Sequence, residues 1–140
     1  MAKQQGQVQY INPPALHPNA AFSHMVTVSG PVKTVYIGAQ VAVDRAGNLV
    51  GKGDLAAQTK QILQNIEACL AAGGAGPEHL IHWSIHVVQG QDMRPAFEVA
   101  IAWWGNRPHP PMNDVYYVSG FWPADFLISI EAIALVPQTA

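Results

Sequence analysis

The sequence predicts an α+β fold, a mixed sheet with two helices on one face. Three observations carry that reading. Segments rich in β-branched and aromatic residues alternate with helical ones in the order strand, strand, helix, strand, helix, strand, strand. The apolar period changes from two to between three and four at Asp54. The chain also closes on "FLISIEAIALV", whose last residues form an apolar run suited to a buried strand. With 140 residues the chain reads as one domain, 1–140, with 1–20 as an extended N-terminal segment. A domain of that length buries about two-thirds of its unfolded surface.

Each element follows from local chemistry. Residues 12–20, "NPPALHPNA", are proline-rich and read as extended or looped. "FSHMVTV" and "KTVYIGAQVAV", separated by "SGP", read as a hairpin. "DRAGNL" supplies the next turn, with Asp44, Gly47 and Asn48 as turn formers. Leu55, Thr59, Ile62, Leu63, Ile66, Cys69 and Leu70 then make one helical stripe, with Asp54 as N-cap and Gly73-Gly74 as the stop. Cys69 lies on that stripe and reads as a small buried hydrophobe rather than a nucleophile.

"HLIHWSIHVV" is a strand with Trp83, Ile85 and Val87 on one face and His82, Ser84 and His86 on the other. His82 and His86 are four strand residues apart, roughly 13 Å at about 3.3 Å per residue, so they cannot share a metal ion within one chain. No metal site is expected, and the two histidines read as lining a polar face or a subunit contact. A second helix spans about Met93 to Trp104, with Asp92 as cap, Pro95 in its first turn and an apolar face of Phe97, Ala100, Ile101 and Trp104. After Gly105 the loop "RPHPP" leads into "MNDVYYV". There Asn113 and Asp114 start a strand on which Tyr116 shares a face with Asp114 and Tyr117 points the other way.

Composition narrows the function. The net charge is −2 with no basic cluster, which disfavours nucleic acid as a partner. No apolar segment is long enough to span a bilayer, and no signal peptide is recognised. The single cysteine, Cys69, points to a reducing cytoplasm. Only 11% of residues are charged while 49% are hydrophobic, against roughly 25% charged in an ordinary soluble domain. Such a surface is expected to be covered in part by another subunit. Two helices also leave one sheet face for a neighbour.

Taken together, "VYIGAQVAVDRAGNLVGKGDLAAQTKQILQNIEACLAAGGA" and "ISIEAIALV" resemble the RidA/YjgF family, over roughly residues 20 to 136. Gln58 and Asn65 keep the spacing of the family's Gln-x6-Asn helix, and Gln40 ends the phrase corresponding to its Ser-Gly-Gln. The resemblance implies a chorismate-mutase-like fold and a homotrimer with a ligand cleft at each subunit interface. It also implies hydrolysis of reactive enamines and imines to ketones and ammonia, with no metal or organic cofactor. In the family an arginine at the start of the penultimate strand holds the substrate carboxylate. A glutamate on the last strand helps place the attacking water, and an aromatic residue covers the cleft.

Those residues carry over with changes. Counting back from Glu131, which the family shares, the arginine position falls on Asp114, or on Asn113 with a one-residue shift after Pro111. The glutamate position is Ser129. The glycine that offers its N–H becomes Ala39, preceded by Gly38, the covering tyrosine becomes Phe22, and an asparagine of the second helix becomes Phe97. The candidate site is therefore Asp114 and Ser129 for chemistry, with Phe22, Gly38, Ala39, Phe97, Asn113 and Tyr116 for binding. A guanidinium holds a carboxylate through two charge-assisted bonds, whereas Asp114 repels one. The expected function is a divergent hydrolase or deaminase acting on a small imine, enamine or related metabolite. The alternatives are a trimer that binds a metabolite without turnover and a structural trimer.

Overall fold

A computed structural model describes residues 2–140. Its elements are β1 (Gln7–Ile11), β2 (Met25–Ser29), β3 (Val32–Gln40), α1 (Leu55–Ala72), β4 (Leu80–Val88), α2 (Arg94–Trp104), β5 (Met112–Val118) and β6 (Ile128–Pro137). Four strands form a sheet in the order β3-β6-β4-β5. β4 and β5 run parallel with α2 as their crossover, and the other neighbours are antiparallel. The architecture is the mixed α+β sheet that the alternating segments predict.

The helical stripe builds the core. Ile62, Leu63, Ile66 and Leu70 of α1 are fully or almost fully buried against Trp83, Ile85 and Val87 of β4 and Ile128, Ile130 and Ala132 of β6. Each such aliphatic side chain contributes about 1.5–3 kcal/mol by leaving water. Asp54 caps α1 as expected, its carboxylate accepting the Ala57 N–H at 3.0 Å. Two polar side chains of α1 explain the Gln-x6-Asn spacing. Buried Gln58 donates to the carbonyls of Gly51 (3.1 Å) and Asp125 (3.0 Å) and accepts the Leu127 N–H (2.8 Å). Asn65 donates to the carbonyls of Val41 and Val43 at 3.2 and 3.0 Å. The motif is a pair of loop clamps.

Four expectations need correction. "FSHMVTV" and "KTVYIGAQVAV" do not pair as a hairpin: β2 pairs with β1 in a separate two-stranded ribbon, and β3 pairs with β6. Pro31 has no N–H to donate, and the apolar β6 gives β3 a central, buried partner. β3 also stops at Gln40, because the carbonyls of Val41 and Val43 turn to Asn65. On α2, Asp92 is not the N-cap. Met93 holds that position, and the Asp92 carboxylate takes the Arg94 N–H and pairs with its guanidinium at 2.7 Å. Nor do Phe97 and Ile101 face the core, being 41% and 66% exposed. The equally apolar stripe of Ala96, Val99, Ala100 and Trp103 faces inward instead.

Candidate functional site

Strand alternation sorts the polar residues of the sheet onto the face that carries no helix. In the ladders Ser84 lies opposite Asp114 on β5 and Glu131 on β6, and His86 lies opposite Tyr116 and Ser129. Trp83, Ile85 and Ile130 alternate with these and pack under the helices. His86 stacks on Tyr116 with ring centroids 5.5 Å apart. Asp114 and Tyr116 thus share a face, as predicted. Tyr117, opposite Val87, takes the other.

The N-terminal ribbon closes one end of this face. Tyr10 donates its hydroxyl proton to the Leu80 carbonyl at 2.7 Å and stacks on His109, centroid to centroid 5.2 Å. Burial pushes the Tyr10 phenol up to about 12. Ser23 is buried and donates its hydroxyl proton to the Pro110 carbonyl at 2.5 Å. These contacts fix Phe22 and His24 beside the start of β5. Together they enclose a cleft of about 440 Å³ lined by Phe22, Ser23, His24, Ile81, His82, Met112, Asn113, Asp114 and Ile133. At its wall His82 Nε2 lies 2.9 Å from Asp114 Oδ2, the two side chains being 27% and 43% exposed.

The predicted residues divide over this surface. Phe22, Asn113 and Asp114 line the cleft. Gly38 lines an adjoining depression of about 380 Å³ with Tyr36 and Glu131, and His82 and Ile133 belong to both. Ala39 lies in the stretch between Ile37 and Gln40 where the β3–β6 ladder shifts register. Ser129 and Tyr116 share the sheet face with Asp114 but lie farther along it, and Ser129 is only 5% exposed. Phe97 is brought elsewhere: it lines an apolar groove of about 480 Å³ on the helix side with Trp83, Ile101 and Trp104. Asn113, opposite Trp83, touches both grooves. Sequence reasoning missed His82 and His24 as cleft residues. The alternation of β4 was the available signal for His82, but the parallel register that brings Asp114 to it was not in view.

The charge pattern is one-sided. No lysine or arginine lines the cleft or its neighbour among the described residues. Arg94 is held by Asp92, and its hydrogen bonds keep that carboxyl below its ordinary range. Arg107 donates to the carbonyls of Trp103 (2.7 Å) and Trp104 (2.9 Å), with its guanidinium 5.6 Å from the Trp103 ring centroid. Asp114 Oδ1 has no hydrogen-bond partner among the described residues.

Comparison with known proteins adds to this geometry. Residues 13–136 match the model of a family described as Endoribonuclease L-PSP. The RutC family protein PH0854 of Pyrococcus horikoshii is 33% identical over 100 residues, covering 71% of this chain and 77% of that protein. The crystal structure of YyfB, a Rid family protein of unknown function from Yersinia pestis, is 32% identical with a TM-score of 0.82, covering 92% of this chain and 98% of that one. The YjgF gene product of E. coli is 25% identical with a TM-score of 0.65, over 73% of this chain and 80% of that one.

Proposed function

Because this chain belongs to the RidA/YjgF family, the family of the Endoribonuclease L-PSP model, we propose that it forms a homotrimer whose interface cleft takes a small uncharged or cationic imine, enamine or amine. We propose further that it hydrolyses such a compound to the carbonyl product without metal or organic cofactor. The observation that carries this reading is Asp114, a carboxylate in a cleft that no lysine or arginine lines among the described residues, at or one residue after the position where the family resemblance puts an arginine. Asp114 Oδ1 accepts a substrate N–H, while Phe22 and Ile133 cover the apolar part of the ligand. Hydrolysis adds water across the C=N bond and expels the nitrogen, so a group that orients the nitrogen is useful in both halves.

The test compares matched substrates by following carbonyl product. 2-Iminopropionate carries the carboxylate, and an acyclic N–H ketimine of similar size does not. Asp114 is 43% exposed, and two like charges about 4 Å apart near a protein surface repel by about 1–4 kcal/mol, about 1.36 kcal/mol being tenfold in rate. The carboxylate-free imine is therefore expected to be preferred at least about tenfold in kcat/KM. Equal or faster turnover of 2-iminopropionate overturns the reading. One observation favours a second reading, binding without turnover: Ser129 stands at the family's glutamate position and cannot hold a proton as a carboxylate does. Calorimetry showing saturable imine or amine binding with no product supports it.

A further inference from the structure

The family resemblance assigns His82 no role, and the structure places it on the wall of the cleft against Asp114. It lines both the main cleft and the adjoining depression, and its Nε2 meets Asp114 Oδ2 at 2.9 Å. No hydrogen bond engages its Nδ1 among the described residues. We infer that His82 is the proton carrier of the site, held by Asp114 in the tautomer that bears its hydrogen on Nε2. This rests on the hydrolytic reading above and names the residue that performs its proton transfers.

The chemistry follows from the tautomer. With the Nε2 hydrogen donated to the carboxylate, Nδ1 carries the lone pair, and the imidazolium formed on protonation is balanced by Asp114. In the first half the water oxygen bonds to the imine carbon while the C=N electron pair moves to nitrogen, which takes a proton from solvent. His82 Nδ1 accepts the proton that the water loses. In the second half the imidazolium returns that proton to nitrogen as the C–N pair leaves with ammonia, and the hydroxyl proton passes to solvent. The net change is one C=N bond and one water for one C=O bond and ammonia.

The titratable groups that share these two depressions with His82 are Asp114 from β5, His24 from the N-terminal loop, Glu131 from β6 and Tyr36 from β3.

Two measurements test the assignment. In long-range proton–nitrogen NMR of the wild-type protein, His82 is expected to show hydrogen on Nε2 and a bare Nδ1 when neutral. In Asp114→Ala the preference should relax to a mixture. In kinetics on the carboxylate-free imine, His82→Gln keeps a side-chain N–H for Asp114 but cannot carry a proton. Its kcat should fall at least about a hundredfold while KM stays within about threefold. Hydrogen on Nδ1 in the wild type, or a preference unchanged in Asp114→Ala, overturns the assignment whatever the activity. An active wild type whose His82→Gln variant keeps its kcat overturns the assignment alone. A wild type inactive on every imine overturns the hydrolytic reading and the role of His82 with it.

Discussion

Gln58 Oε1 accepts the backbone N–H of Leu127 at 2.8 Å, so a fully buried amide on α1 holds the entry to β6 across 69 residues of sequence. The same amide donates to the Gly51 and Asp125 carbonyls. Gln58→Leu keeps the volume but leaves these three backbone groups without their side-chain partner. A buried polar group left unpaired costs about 1–3 kcal/mol. A total loss of about 3 kcal/mol is expected, visible as a fall of roughly 10 °C in melting temperature. A fall within experimental error would show that water replaces the amide at all three positions.

Tyr10 gives the fold a dependence on alkaline pH. Burial raises its phenol from 10.0 to about 12, so the folded protein keeps a proton that the unfolded chain releases earlier. The resulting stability is fully present below pH 10 and is lost as pH rises from 10 towards 12. Tyr10→Phe should be about 1 kcal/mol less stable at pH 7, having lost the bond to Leu80. It should also lose less stability than wild type between pH 10 and 12. Urea midpoints measured across that range check both; parallel curves would rule out a role for Tyr10.

The helix-free sheet face leaves Tyr36 78% exposed, with Tyr116 also open to solvent. Sedimentation equilibrium at micromolar concentration should report three times the 15.1 kDa chain mass. A single 15.1 kDa species would refute the trimer.

Reversing the charge at the cleft separates binding from turnover. Asp114→Arg should bind a 2-oxo acid at least tenfold more tightly than wild type, measured by calorimetry, because a guanidinium pairs with its carboxylate. It should still fail to hydrolyse 2-iminopropionate, since the substitution removes the carboxylate that holds His82. Family-level turnover from the single variant would show that this contact is dispensable on this scaffold.

The parts of the fold visible in the sequence were those with a local signal. The α1 stripe, the Asp54 cap and the alternation of β4 each depend on neighbours within one or two turns or steps. β1 was missed because five residues, "QVQYI", carry too little alternation to stand out, and without it β2 had only β3 as a visible partner. The inner face of α2 was ambiguous because, among "RPAFEVAIAWW", only Arg94 and Glu98 are charged. Asp114 was reachable by counting from Glu131. His82 was not, because its meeting with Asp114 depends on a parallel pairing that spans the whole of α2.

Asn113 and Asp114 occupy consecutive positions on β5, one opposite Trp83 beneath the helices and the other opposite Ser84 on the open face. The loop of residues 105–111 that precedes them sets which of the two faces outward. Inserting or deleting one codon there, if β5 slips by one residue against β4, would turn the carboxylate into the apolar groove and the amide into the cleft, together with every other side chain of the strand. A lineage built on this scaffold can therefore exchange the electrical character of its binding chamber in one mutational step, which makes loop length as much a heritable determinant of ligand choice as the side chains themselves.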